Sequence, residues 1–205
     1  MKHLFYLLIL FFFSSRVSAQ DEMSEAWTTK LDVKIENSGI SDSKGYCYGS
    51  SDREFSFVSN RVGKVLWTKA FKDINENLRK VDEQIPMWDA NVLFLFDRKA
   101  GKDNMACLDI TTGNFLWMTD KYQDVTDESV IYIPEMEAFA VTTKTAVTMI
   151  KARTGEEIWS TQKFKGVVGA YQYMSDGFLV MLNYKPTNLA SLFSGFKNQI
   201  VKINV

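Results

Sequence analysis

The chain has 205 residues, of which 46% are hydrophobic and 24% are charged, and its formal net charge is −1. This length and composition allow a sizeable hydrophobic core, whereas the lack of a basic surplus argues against binding to nucleic-acid phosphates. The single histidine is His3. A histidine-containing metal site and a Ser/His/Asp or Cys/His catalytic arrangement are therefore excluded from the rest of the chain.

The first nineteen residues differ from those that follow. Lys2 precedes an apolar run from Leu4 to Phe13, and small residues occupy positions 17–19. A basic start, a short apolar segment and an A-x-A-like end are typical of a cleaved secretory signal peptide, and a run of this length is too short to span a bilayer comfortably. We therefore expect a signal peptide at 1–19 and an exported chain, periplasmic or secreted, with no transmembrane segment after cleavage. A retained anchor or a buried segment is the alternative.

Three later segments share a glycine that is followed four residues on by a tryptophan. They are 57–67 (FVSNRVGKVLW), 107–117 (CLDITTGNFLW) and 149–159 (MIKARTGEEIW). In each segment apolar residues lead into a glycine that allows a positive φ, and a β-favouring run follows. Each is predicted to be a β-hairpin, and the alternation of strand faces places Phe115 and Trp117 on the same side.

Other strand-like runs fill the chain between these hairpins, so that each period holds about four short strands. Four strands per repeat are typical of one propeller blade. The charged stretch 71–84 interrupts the pattern and is predicted to be a solvated connector, with a helical turn as the alternative. The sequence thus predicts an all-β fold, a partial β-propeller of about three four-stranded blades over residues 20–205.

The last residues, 198–205, resemble the first strand of another hairpin. If Lys202 aligns with Met149, the next Thr-Gly pair would fall just beyond Val205. A fourth hairpin is therefore expected to begin near residue 202. A closed propeller needs at least about four blades, so we expect the chain to be the N-terminal part of a propeller with seven or eight blades.

The second hairpin resembles the A-x-D-x-x-T-G-x-x-x-W motif of pyrroloquinoline-quinone-like (PQQ-like) β-propeller repeats, with Cys107 at the alanine position. The resemblance covers about residues 50–205, and it implies that each tryptophan docks near the glycine of an adjacent blade and is structural. The positions that match the motif are Gly63 and Trp67 in the first hairpin, Asp109, Thr112, Gly113 and Trp117 in the second, and Thr154, Gly155 and Trp159 in the third.

The same resemblance implies two kinds of function. Some members of the family are quinoprotein dehydrogenases that bind PQQ and Ca²⁺ on the propeller axis. Others are non-enzymatic envelope scaffolds, similar to the propeller lipoprotein of the outer-membrane β-barrel assembly machinery. The motif builds the blades and does not distinguish between them. Acidic residues that a calcium site would draw on occupy turn-like positions, which favours solvated side chains; these residues are Asp97, Asp103, Asp120, Asp124 and Asp127.

We therefore expect a non-catalytic scaffold that binds protein partners in the bacterial envelope, without catalytic, cofactor-binding or metal-binding residues. A fragment of a PQQ- and calcium-dependent dehydrogenase and a carbohydrate- or peptide-binding propeller remain the alternatives. Fold alone does not choose among these functions.

One insert, 185–198, is predicted to carry a partner contact. Four apolar residues in it share one face of a short helix and would form an exposed patch, or would fold back over their own sheet; they are Leu189, Leu192, Phe193 and Phe196. Cys47 and Cys107 are expected to be free, because no spacing forces them together, although an exported protein could oxidise such a pair.

Overall fold

The computed structural model describes residues 25–99, 102–123, 125, 129–143, 146–162, 167–184 and 199–204. Its regular structure is almost entirely β. The strands are β1 (Asn37–Ser41), β2 (Tyr46–Ser50), β3 (Glu54–Ser59), β4 (Lys64–Ala70), β5 (Glu83–Met87), β6 (Val92–Lys99), β7 (Lys102–Asp109), β8 (Asn114–Thr119), β9 (Val130–Ile133), β10 (Ala138–Thr142), β11 (Val147–Lys151), β12 (Glu157–Thr161), β13 (Val167–Tyr173), β14 (Phe178–Tyr184) and β15 (Gln199–Asn204). The structure also describes one helical turn, α1 (Phe71–Ile74), and 3-10 turns at Trp88–Ala90 and Pro134–Met136.

The strands form antiparallel sheets in which neighbours in sequence are also neighbours in space. Sheet 1 contains β1 to β4, sheet 2 contains β5 to β8, sheet 3 contains β9 to β12, and sheet 4 contains β13 to β15. Three four-stranded sheets confirm the predicted all-β, partial-propeller fold. Sheet 4 adds three strands of a further blade, because β14 pairs with β13 on one side and with β15 on the other.

The run from Val92 to Phe96 shows how successive sheets share their cores. Leu93 and Leu95 lie in the core between sheets 1 and 2, whereas Phe94 and Phe96 lie in the core between sheets 2 and 3. Because successive side chains of a strand point to opposite faces, a strand that is covered on both faces must be apolar at every position. A third core joins sheet 3 to sheet 4.

The connector between sheets 1 and 2 is less solvated than the sequence predicts. Phe71 and Leu78 are fully buried, and Val81 is nearly so. All three belong to the core between the two sheets, while the charged residues among them face solvent. Their irregular spacing within a charged stretch gave no periodic signal of burial.

The prediction that Phe115 and Trp117 share a strand face is wrong. Cys107 pairs with Trp117, but Leu108 pairs with Phe115, so one residue of β8 is left unpaired. This β-bulge re-aims the strand and leaves Phe115 39% exposed while Trp117 is 8% exposed. The same irregularity stands just before the tryptophan of β4 and of β12, where the unpaired residues are Leu66 and Ile158.

Both cysteines are free thiols in the structure. Cys107 is buried and Cys47 is half-buried. Burial raises the pKa of the Cys107 thiol far above its ordinary value, so this thiol stays protonated and unreactive. Within the residues that the structure describes, helices are all too short or too polar to cross a bilayer.

Candidate functional site

Tryptophans of sheets 1 and 2 dock on a turn of the following sheet. The Trp67 indole N–H donates to the Ile110 carbonyl at 2.9 Å, and that of Trp117 donates to the Ala152 carbonyl at 3.0 Å. The rings cover Gly113 and Gly155, whose φ angles are +65° and +69°. A Cβ atom at either glycine would stand less than 3 Å from the indole.

A third joint of the same kind involves a tryptophan that the sequence analysis missed. The Trp27 N–H donates to the Asn60 carbonyl at 3.0 Å, and its ring covers Gly63. Trp27 was overlooked because Met23, rather than a glycine, stands four residues before it. Its distance of forty residues from Trp67 resembles the 42-residue spacing of Trp117 and Trp159, and this spacing was the available signal.

Trp159 and the motif threonines have more local contacts. Trp159 is half-buried and packs on the core between sheets 3 and 4. The hydroxyl of Thr112 accepts a hydrogen bond from the Asn114 backbone N–H at 3.3 Å, and the hydroxyl of Thr154 accepts one from the Glu156 N–H at 3.4 Å. Both threonines stabilise the turn in which they lie.

Asp109 organises its own turn and connects it to sheet 3. Its Oδ1 accepts hydrogen bonds from the Thr111 N–H and hydroxyl and from the Thr112 N–H, and its Oδ2 accepts one from Arg153 at 2.7 Å. Burial raises the pKa of Asp109, but the hydrogen bonds outweigh it and hold this pKa at about 2. Because both carboxylate oxygens accept these hydrogen bonds, the role of Asp109 is structural.

The outermost strand of each of sheets 1 to 3 carries an exposed apolar residue. Strands β4, β8 and β12 form the outer edges of sheets 1 to 3. Each carries one large apolar side chain, one or two residues before its tryptophan, that is about 40% exposed. We call these residues, Leu66, Phe115 and Ile158, the outer-strand row. The adjacent bulges make these edges poor templates for uncontrolled strand addition, so recognition there would rely on side chains.

A charged cleft of about 1,030 Å³ opens at the loop end of sheet 1. Its walls are the segment before β1, the β2–β3 loop and the connector after β4. Asp52 lies 3.5 Å from Lys80 and 3.8 Å from Arg53, and Lys34 pairs with Glu36 at 2.6 Å. Ion pairs therefore line this cleft with both signs of charge and leave little net field.

Some of the other predicted site residues lie outside the part of the chain that the structure describes, and the rest lie within it. Leu189, Leu192, Phe193 and Phe196, together with Asp124 and Asp127, lie outside the described residues. Of the acidic residues that the sequence places in solvated turns, Asp97 instead lies in β6 and is buried, and Asp103 lies in β7. Among the residues that the structure does describe, no three His, Cys, Asp or Glu side chains come together as metal ligands would.

Comparisons with known proteins place the chain among propellers. A family model described as "Outer membrane protein assembly factor BamB" matches residues 51–192. No curated protein sequence matches the chain.

Three solved structures similar to this chain each share 12% sequence identity with it. A eukaryotic initiation factor has a TM-score of 0.62 over 86% of this chain and 42% of that one. The WD40 repeats of RRP9 have a TM-score of 0.52 over 75% of this chain and 46% of that one. BamB from Moraxella catarrhalis has a TM-score of 0.40 over 71% and 39%. The chain thus spans less than half the length of each of these structures.

Proposed function

Since the chain belongs to the family of the outer membrane protein assembly factor BamB, we propose that it is an exported, non-catalytic propeller scaffold that binds protein partners in the bacterial envelope. The leader-like residues 1–19 support export. The family's name supports a role in the envelope, and the repeated sheets supply a rigid frame for surface contacts.

The observation that carries this proposal is the outer-strand row. Three sheets each present a large apolar side chain beside an exposed strand edge. Single exposed apolar residues are ordinary, but each of the three outer strands carries one within two residues of its tryptophan, and together they provide a series of contacts for one extended partner. Most of the binding energy in such an interface comes from a few apolar or aromatic anchors.

A site-specific crosslinking experiment tests this function. A photo-reactive amino acid replaces Phe115 in one chain and Val62 in another, and both chains are produced with their leader in a bacterial host. Val62 is 67% exposed but lies in a turn rather than in an outer strand. We expect the probe at Phe115 to capture a discrete envelope protein and the probe at Val62 to capture none.

In the chain that carries the probe at position 115, the matched variants are Leu66→Ser/Ile158→Ser and Val62→Ser. Loss of the crosslinked species in the Leu66→Ser/Ile158→Ser variant alone, with an unchanged circular dichroism spectrum, supports the scaffold. Three results would contradict the proposed scaffold function. The protein could be found in the cytoplasmic fraction, or the probes at positions 115 and 62 could capture the same proteins equally well. The protein could also catalyse dye-linked oxidation when PQQ and Ca²⁺ are added.

A further inference from the structure

The connector between sheets 1 and 2 is attached at several points to the loop that joins β2 to β3. The Phe71 N–H donates to the Arg53 carbonyl at 2.8 Å, and the Val81 N–H donates to the Asp52 carbonyl at 2.7 Å. Phe71 and Val81 are also buried in the core between the two sheets, as is Leu78 between them. The charged side chains of the connector therefore project from a backbone that is held in place on one side of the charged cleft.

Asp52 joins this connector to the segment before β1. Its backbone N–H donates to a carboxylate oxygen of Glu36 at 3.4 Å, and the Glu36 N–H donates to the Ser50 carbonyl at 2.7 Å. The Asp52 carboxylate is shared by Lys80 and Arg53. The three walls of the charged cleft are thus tied to one another, so a ligand would not have to order them when it binds.

Four charged side chains of the cleft are left without an ion pair in the described part of the chain. Two are carboxylates and two are cations, and they form neither an ion pair nor a side-chain hydrogen bond with any residue that the structure describes; they are Glu54, Glu76, Lys72 and Arg79. Glu54 is half-buried, so its carboxylate has lost part of its contact with water without gaining a partner within those residues. A ligand that carries an ammonium group would supply one.

The mixture of charges defines the chemistry of the ligand. Five basic and four acidic side chains line the cleft, and of the described residues that line it Ala70 alone is apolar. A polyanion or a polycation would meet like charges as well as opposite ones, so the cleft favours a polar molecule with one charge of each sign. Its volume of about 1,030 Å³ is near the upper limit of pockets that hold drug-sized ligands, which exceeds the needs of a single amino acid.

We propose that the charged cleft binds a short peptide with free ends. The α-carboxylate of the peptide accepts hydrogen bonds from Lys72 and Arg79, and its α-ammonium donates to Glu54 and Glu76. Hydrogen bonds between charged groups are stronger than those between neutral groups, and the amide groups between the two ends suit the polar lining. The cleft shares no residue with the outer-strand row, so one chain can hold a peptide and a protein partner at different sites.

Nuclear magnetic resonance titration with tri-alanine tests this site. A tripeptide extends at most about 10 Å, which fits the volume of the cleft. In the isotope-labelled chain we expect chemical-shift changes at the amides of Asp52, Glu54 and Lys80, and none at Phe115 of the outer-strand row. N-acetylation removes the ammonium of the peptide and C-terminal amidation removes its carboxylate, so each should raise the dissociation constant at least about threefold.

Charge-neutralising variants assign the two ends of the peptide. Lys72→Gln/Arg79→Gln should weaken the binding of tri-alanine at least about threefold and leave the binding of the amidated peptide unchanged, because that peptide has no carboxylate to lose. Glu54→Gln/Glu76→Gln should likewise leave the acetylated peptide unaffected. Lys64→Gln, which neutralises an exposed charge of β4 outside the cleft, is the matched control and should bind tri-alanine as the wild-type chain does.

Several results would overturn the proposal. The amides of the cleft could show no shift changes, or Lys64→Gln could weaken binding as much as the cleft variants do. One of the blocked peptides could bind as tightly as tri-alanine, which would mean that only one sign of charge is recognised. A lysine–alanine–glutamate peptide blocked at both ends could bind more tightly than tri-alanine, and the cleft would then receive the charged side chains of a protein segment. Circular dichroism spectra of all variants confirm that each is folded.

Discussion

Two kinds of turn in this protein use a left-handed backbone but make different demands on the side chain. The turn between the first two strands of a sheet has Gly45, Asn91, Glu137 or Gly177 in this conformation. The turn before each outer strand of sheets 1 to 3 has only glycine there, because a docked tryptophan fills the space that a Cβ atom would need. Backbone conformation alone accepts asparagine, whereas the docked ring does not.

Asparagine substitutions at Gly113 and Gly177 separate these two effects. A Cβ at Gly113 would lie 2.8 Å from the Trp67 ring, whereas a Cβ at Gly177 would meet nothing within 4 Å. Gly113→Asn is expected to lower the free energy of unfolding by at least about 2 kcal/mol, since the indole must move out of its joint. Gly177→Asn should change it by less than about 0.5 kcal/mol. Urea titrations of both variants measure this difference, and equal losses would show that backbone strain alone dominates.

The carboxylate of Asp109 gives the stability of the protein a defined pH dependence. Its pKa falls from 3.8 to about 2 in the folded chain, and its side chain is only 14% exposed. A lowered pKa contributes stability that is fully present above about pH 4 and is lost as the pH falls through about 2. The shift corresponds to about 2 kcal/mol.

Comparison with Asp109→Asn isolates this contribution from that of other carboxylates. At pH 6 the wild-type chain should exceed the variant in unfolding free energy by about 2 kcal/mol. The difference should shrink as the pH approaches 2. Denaturant midpoints measured from pH 2 to pH 6 provide the test, and a difference that is constant across this range would show that the hydrogen-bond geometry, rather than the charge, is responsible.

At the scale of the strand, the β-bulge decides which residue of the outer strand is structural. Trp117 is buried and hydrogen-bonded, while Phe115, two positions earlier, is exposed. Trp117→Ala should therefore cost about 3–5 kcal/mol of unfolding free energy, and Phe115→Ala less than about 1 kcal/mol. Trp117→Phe keeps a ring but loses the N–H donor, so an intermediate loss is expected. Thermal and urea unfolding rank the three variants, and a large loss for Phe115→Ala would contradict the assigned register.

The hairpins and their approximate strand number could be predicted because their signals are local. A glycine with a tryptophan four residues later reports a turn and an outer strand within one short segment. The bulge could not be predicted, since it reflects how a strand pairs with its neighbour. The docking of Trp27 on Gly63 was also missed, because it joins residues 36 positions apart and only one of them carries the local motif.

The molecule as a whole is held together by cores that lie between sheets rather than within them. Phe94 of sheet 2 contacts Phe139 of sheet 3 edge-on, with ring centroids 4.7 Å apart. It also contacts Trp117, with centroids 5.8 Å apart. A chain of units that each contact their neighbours draws much of its stability from such interfaces, so the loss of one shared side chain should be felt in both adjoining sheets.

Phe94→Ala tests this coupling. The loss of a fully buried ring should cost about 3–5 kcal/mol, and hydrogen exchange should accelerate in β10 of sheet 3 as well as in β6 of sheet 2, because each sheet loses a covered face. Leu66→Ala removes an apolar side chain of the outer-strand row that is 42% exposed, so it should leave both strands protected. Faster exchange confined to β6 would mean that each sheet is stable without its neighbour, and the shared cores would then not be what keeps these sheets together.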